Sequence, residues 1–280
     1  MAAGTSPNVL TVDVEEWFHI CGVDGALAPE HWPSLPSRVV VTTDRLLDLL
    51  DRVGVRATFF VLGYVAERHS QLIERIAQAG HEIGSHGHMH ARVYTLDATA
   101  FAADLDRSLA ALAACGVSGV QGFRAPEWSI NDQSLWALDV LAQKGFRFDS
   151  SMAPLRIIGN PSYPQAVHRR ETVAGPIVEC PPAVTKRLGQ QMPFGGGWGL
   201  RMSRPSTVLR MLDARARAGR VSVFWVHPWE IDDDPPVVRL PARTSFAHYF
   251  RLSRFADRLE TILKGATFGP LGPVALGHVR

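Results

Sequence analysis

Short β-rich runs alternate with amphipathic stretches that close on a glycine, at a spacing of about 35 residues. The reading predicts a strand at Leu10 to Val14, a helix over Thr43 to Val53 before Gly54, and a strand at Thr58 to Leu62. A helix from Tyr64 to Ala79 ends at Gly80 and leads into a strand at His81 to Ser85; another, Ala98 to Cys115, ends at Gly116 before Val120 to Phe123. Asn131 is predicted to cap a helix over Asp132 to Lys144, followed by a strand at Phe146 to Asp149. Pro205 opens a helix to Ala218, before a strand at Val221 to Val226. Alternation of this kind calls for parallel strands joined by right-handed crossovers, so the chain is α/β, either a (β/α) barrel or a doubly wound sheet. Asp13, Glu15, His86, Arg124, Asp149 and His227 all fall at the C-terminal ends of strands, the edge where both architectures bind ligands.

The rhythm breaks between Ala153 and Phe194, where Pro154, Pro161, Pro164, Pro181 and Pro182 leave little room for helix; this reads as a long excursion. Gly195 to Gly197 reads as a lid or as a turn needing positive φ, and Glu230, Asp232, Asp233 and Asp234 as a solvated loop. With 29 basic against 27 acidic residues the chain has no electrostatic reason to bind nucleic acid or an anionic membrane. No apolar run reaches the roughly 20 residues of a membrane helix. No Lys or Arg precedes Arg38, so no signal-peptide n-region is seen and a cytoplasmic location is expected. Cys21, Cys115 and Cys180 form no metal-ligand spacing and read as buried reduced thiols.

Four of the eleven histidines lie in HEIGSHGHMH, and His86 and His90 are four residues apart. On one helical turn both imidazoles would face the same way and bind one metal ion, given a third ligand. Asp13 and Glu15 supply it: at a period of two they share a side of the first strand, while Glu16 points away. Arg124, entering a rigid Ala125-Pro126 turn, would hold a carboxylate ionised. His227 leaves an apolar strand, with Asp149 as the natural carboxylate to orient it. These pieces describe metal-assisted hydrolysis, in which a carboxylate removes a water proton and a histidinium protonates the departing amine.

The motifs resemble those of the polysaccharide deacetylases, the NodB-type carbohydrate esterases: Thr11-Val12-Asp13-Val14-Glu15, His86-Gly87-His88-Met89-His90, Arg124-Ala125-Pro126, Asp149 and Val226-His227, in that order. Asp13 to Phe18, Phe148 to Ser151, Gly195 to Gly197 and His227 to Glu230 look more narrowly like bacterial deacetylases of exopolysaccharide and exosortase loci. The resemblance implies a distorted (β/α) barrel of seven or eight parallel strands, with residues 1–181 as the barrel core and 182–280 completing it and adding a family-specific elaboration. It implies Asp13 as the base, Glu15, His86 and His90 as ligands of a divalent metal (zinc, with cobalt, manganese or nickel as alternatives), Arg124 as the partner of Asp13, Asp149 as the partner of His227, and His227 as the general acid. A backbone N–H near Glu127 would join in stabilising the oxyanion, and Trp17, Trp128 and Trp229 would line the rim against a sugar. His88 reads as a solvent-facing loop residue or an added contact. The implied substrate is an N-acetylated oligosaccharide or polysaccharide of a bacterial exopolysaccharide or its precursor. Two alternatives stand beside it: a deformylase or amidohydrolase acting on a formamido sugar or small amide, and a catalytically silent saccharide-binding protein.

Overall fold

Strand β1 (Asn8–Val14) is buried along its whole length, which its apolar run NVLTVDV permits only if both faces of the sheet are covered. The computed structural model describes residues 8–19, 27–187, 189–240 and 242–278; Cys21 lies outside them. After β1 come α1 (Val39–Arg52), β2 (Thr58–Val61), α2 (Gly63–Arg68), α3 (Ser70–Gln78), β3 (Glu82–Ser85) and α4 (Ala98–Ala114). There follow β4 (Gly122–Phe123), α5 (Ala137–Gln143), β5 (Phe148–Asp149), β6 (His168–Arg170) and β7 (Ile177–Glu179). A separate hairpin, β8 (Val184–Arg187) with β9 (Gln190–Pro193), leads to α6 (Gly197–Met202), α7 (Pro205–Arg217) and β10 (Ser222–Val226). The described chain finishes with α8 (Ala242–Tyr249), α9 (Phe255–Gly265), β11 (Phe268–Gly269) and α10 (Gly272–Leu276).

The main sheet runs β10-β1-β2-β3-β4-β5-β7-β6, parallel throughout except for the β6–β7 pair, and β11 adds to the start of β1. It curls until the chain just beyond β7 meets β10, through a parallel bridge from Pro182 to Val223 and the hydrogen bond from Ala183 N to Val223 O. Seven parallel strands thus surround the core as a distorted (β/α) barrel. The register of β1 against β10, with Val12 opposite Val226, brings the exits of the first and last of them together: Asp13 and Glu15 on one side, His227 on the other. Leu46 and Leu50 of α1, Ile73 and Ile76 of α3 and Phe255 and Leu259 of α9 pack on the same apolar cluster as Leu10, Val12 and Phe224. Each such buried side chain contributes about 1.5–3 kcal/mol.

Several predicted elements change. The stretch from Tyr64 to Ala79 is two helices, broken at His69, whose φ of −137° and ψ of 52° leave the helical region. The helix predicted from Asp132 begins only at Ala137, because Asn131 Oδ1 accepts the N–H of Gln133 and Ser134 Oγ that of Asn131, a local turn that competes with the helix. Gly195 to Gly197 is no open lid. Gly196 bridges to Trp225, and a Cβ there would lie 2.2 Å from the Trp225 carbonyl oxygen, so glycine is required by close approach. The acidic run is a solvated loop only at its end: Asp233, which pairs with Arg45, and Asp234 are exposed, whereas Glu230 is fully buried and Asp232, also buried, takes the Arg38 guanidinium. Among the described residues, no helix is long and apolar enough to cross a membrane. Cys115 and Cys180 are buried free thiols.

Candidate active site

The strand exits open into a cavity of about 230 Å³ lined by Asp13, Glu15, His86, His90, Arg124, Glu127, Trp128, His227 and Trp229, together with His19, Ala125, Thr244 and His248. Glu15, His86 and His90 converge so closely that one ligand atom from each lies within 4.8 Å of the others. Glu15 Oε2 is 2.7 Å from His90 Nε2 and 3.9 Å from His86 Nε2. The His86–His90 segment reaches this geometry as a loop, not as the predicted helical turn. Gly87 adopts φ 75° and His90 φ 52°, and Asp104 accepts the N–H groups of His88 and Met89. The left-handed residues turn the loop so that His90 lies beside His86 and meets Glu15 at the exit of β1. His88 points the other way: it is buried against Gly63, with Nε2 3.7 Å from Glu67, and is neither solvent-facing nor a contact in the cavity.

The chemistry of this donor set fits a divalent ion. His86 Nδ1 lies 2.8 Å from the Arg124 carbonyl, which only accepts, so Nδ1 carries the proton and the Nε2 lone pair faces Glu15. Burial pushes the His86 imidazole down to about 4, so it stays neutral and able to ligate. Burial also raises the Glu15 carboxyl, but His90, His227 and His86 outweigh it and hold the group well below the usual carboxylate range.

Asp13 sits beside the cluster. Its Oδ1 takes Arg124 Nη1 at 2.8 Å, and its Oδ2 is 3.9 Å from His227 Nε2. Arg124, 1% exposed, is held by Thr11 Oγ1, by the Ser150 carbonyl and hydroxyl, and by the Phe60 ring face 4.5 Å away. Burial alone would lower the His227 imidazole, yet Glu15, Glu230 and Asp13 push it up to about 9. Trp229 stacks on His227 at 5.1 Å and on His248 at 4.4 Å, and donates its indole N–H to Glu15 Oε1.

Glu127 and Trp128 both have positive φ, 54° and 50°, in the turn after Pro126, a strained pair of the kind that clusters at functional sites. Glu127 pairs with Arg92, and burial together with the Glu15 charge pushes its carboxyl up to about 7.

Two expected site residues lie elsewhere. Asp149 is not the partner of His227: it accepts from Ser151 and shares a buried carboxyl pair with Glu179, because β5 pairs with β7 and sets Asp149 directly opposite Glu179. His227 Nδ1 is instead 3.1 Å from Glu230 Oε2. Trp17 is not on the rim; it is buried in the core, donates its indole N–H to the Pro36 carbonyl and packs edge-on against Phe18. Glu16, the carboxylate that points away, receives the Ser37 hydroxyl and the N–H groups of Arg38 and Val39, and so caps α1. The sequence reading names neither His19, Thr244 nor His248 as a site residue, and it places Glu230 in a solvated loop, not beside His227. His19 stacks on His90 at 5.5 Å, and its only local signal is its place shortly after Glu15.

The chain is similar to several known proteins. A family model described as "Polysaccharide deacetylase" matches residues 34–148, and one described as "Domain of unknown function (DUF3473)" matches residues 150–275. The peptidoglycan-N-acetylglucosamine deacetylase of Bacillus cereus is 26% identical over 145 residues, 48% of this chain and 52% of its own. The chitooligosaccharide deacetylase of Rhizobium leguminosarum bv. trifolii is 31% identical over 102 residues, 36% of this chain and 44% of its own. The chain therefore spans about half or less of the length of these curated relatives. A Mycobacterium smegmatis structure assigned to the polysaccharide deacetylases superposes with a TM-score of 0.63 at 21% identity, covering 99% of this chain and 92% of that one, which establishes the shared fold. Residues 34–148 thus carry the match to the polysaccharide deacetylase family, and the barrel is the fold of the solved relative.

Proposed function

We propose that this protein is a metal-dependent hydrolase that removes N-acetyl groups from an N-acetylated sugar of a bacterial exopolysaccharide or its precursor. The observation that carries the reading is the placement of an Arg-held carboxylate, Asp13, and an imidazole, His227, on either side of the Glu15–His86–His90 cluster in one cavity. Glu15, His86 and His90 would hold the ion, zinc first and cobalt, manganese or nickel as alternatives. Such an ion, when bound, polarises the amide carbonyl and eases ionisation of water.

The chain's own residues supply the proton transfers. Asp13, held through Oδ1 by Arg124, takes a proton from the attacking water at Oδ2, the oxygen that Arg124 leaves unengaged. His227, charged near neutrality, gives its Nε2 proton to the departing amine. In the strained turn the Trp128 and Ser129 N–H groups go to the Ala125 and Pro126 carbonyls, so the Glu127 N–H is the backbone donor that would meet the carbonyl oxygen as it develops charge. Trp128 and Trp229 form apolar walls against which a sugar ring packs, and Trp229 also fixes Glu15. The division into residues 1–181 and 182–280 is then a division of labour, since the second part supplies His227, Trp229 and His248 to the cavity.

Acetate and formate release from a panel of N-acetylated and N-formylated sugars and oligosaccharides, with the metal-loaded protein, tests the reading. Acetate from the N-acetyl sugars, lost in Asp13→Asn, is the expected result. Formate release alone would replace it with the deformylase, and saccharide binding without turnover would replace it with the silent binding protein.

A further inference from the structure

The region matched by the domain of unknown function buries a second ion pair directly behind His227. Glu230 is fully buried and Arg201 is 3% exposed. Glu230 Oε2 lies 3.1 Å from His227 Nδ1 and accepts the His227 backbone N–H at the same length, while Oε1 is 3.3 Å from Arg201 Nε. Arg201 is pinned in turn, donating from Nη1 to the carbonyls of His248 and Phe250, and its own carbonyl accepts from Arg258. Two buried charges of this kind are expensive to desolvate and persist where geometry makes use of them. Asp149, the carboxylate that the sequence reading pairs with this imidazole, is engaged with Ser151 and Glu179.

We infer that Glu230 is the positioning residue for His227, and that Arg201 holds Glu230 in place, so that a His227–Glu230–Arg201 row from the C-terminal region completes the site begun by β1. A carboxylate accepts only, so Nδ1 of His227 carries the proton toward Glu230, and Nε2 is the nitrogen turned to the cavity, facing Asp13 and Glu15 at 3.9 and 3.8 Å. The backbone bond from His227 N–H to the same carboxylate oxygen removes rotation about the turn as well as about the ring. Trp229, stacked on the imidazole, closes the remaining side. This inference rests on the deacetylase reading only in naming what His227 does; the tautomer and orientation it assigns stand on the geometry alone.

The test compares wild type with Glu230→Gln, Glu230→Asp and Arg201→Lys in the metal-loaded full chain, on two probes: N-acetylglucosamine oligomers and 4-nitrophenyl acetate. The phenolate leaves without needing a proton, so it bypasses His227. Glu230→Gln should lower kcat on the amide by about 100-fold or more with KM little changed. It should leave ester turnover and bound metal near the wild-type level, and Glu230→Asp should recover part of the amide rate. Equal losses on both probes, or no loss on the amide, would overturn the inference. If wild type releases acetate from neither probe, the functional reading fails by itself. Nitrogen-15 imidazole spectra then decide the inference: a His227 Nδ1 protonated in wild type and shifted in Glu230→Gln and Arg201→Lys upholds it, and an unchanged His227 refutes it.

Discussion

Arg124 meets Asp13 Oδ1 at 2.8 Å from a guanidinium that is fixed at every other corner, by the Thr11 hydroxyl, the Ser150 carbonyl and the Ser150 hydroxyl. The contact spans 111 residues and joins the exits of β1 and β4, so it ties the barrel together and fixes the Asp13 carboxylate at once. Removing one member of a buried pair leaves the other without compensation. Arg124→Met should lower unfolding free energy by about 3–5 kcal/mol in urea titrations, with Arg124→Lys losing less because it keeps the charge but not the fork. A loss under about 1 kcal/mol for the methionine variant would show the pair to be solvated.

Glu16 tests the distinction between neighbouring carboxylates. It caps α1 from outside the helix, through the N–H groups of Arg38 and Val39, and Arg38 itself provides no side-chain cap. Glu16→Ala should cost about 1–3 kcal/mol of stability while the bound metal stays at the wild-type level. Loss of metal without loss of stability would place Glu16 in the ion site.

His81 gives an acid limb to stability. Its Nδ1 accepts the Ala57 N–H at 3.1 Å, and burial lowers its folded-state value to about 4 from an ordinary 6.5. The folded value is depressed, so the unfolded chain binds the proton more readily. His81 therefore contributes fully above pH 6.5, and the contribution is lost as pH falls toward about 4, by at most about 3 kcal/mol. Denaturation midpoints of wild type and His81→Gln, measured between pH 7 and 4, should converge as the pH drops; parallel curves would contradict this.

Asp149 and Glu179 act in the opposite sense. Burial raises Asp149 to about 6 and, with the Asp149 charge beside it, raises Glu179 well above its ordinary value, so the pair keeps a proton. Both folded values lie above the unfolded ones; stability present at low pH is lost as pH rises through the folded values. Glu179→Gln removes one ionisation, and the prediction is a flatter stability profile from pH 5 to 8 with a gain at the upper end. A steeper profile would refute the shared proton.

Much of the barrel was legible because strand and helix periods are local. Six of the seven parallel strands follow from runs such as NVLTVDV and SVFWV bounded by glycine-closed helices, whereas β7 lies inside the proline-rich stretch that reads as an excursion. Their C-terminal ends carried Asp13, Glu15, His86, Arg124 and His227 to one cavity, because parallel strands in one sheet all deliver their exits to the same edge. Pairings across that edge were not legible. Nothing local distinguishes Glu230 from the acidic residues after it, and only the 3-10 turn at Pro228 folds it back under His227. Asp149 is drawn to Glu179 by strand register, and Trp17 is held in the core with its indole N–H on the Pro36 carbonyl, both set by contacts distant in sequence. His248 reaches the cavity from α8, an element whose position depends on the packing of the whole C-terminal region.

Glu15, His86 and His90 are proposed to hold the ion on which the chemistry depends. Anomalous scattering from crystals of the protein equilibrated with zinc tests it most directly. The account predicts one strong peak bonded to Glu15, His86 Nε2 and His90, absent in His86→Ala. At saturating zinc, no peak between these three residues, or a peak that persists without His86, would contradict it.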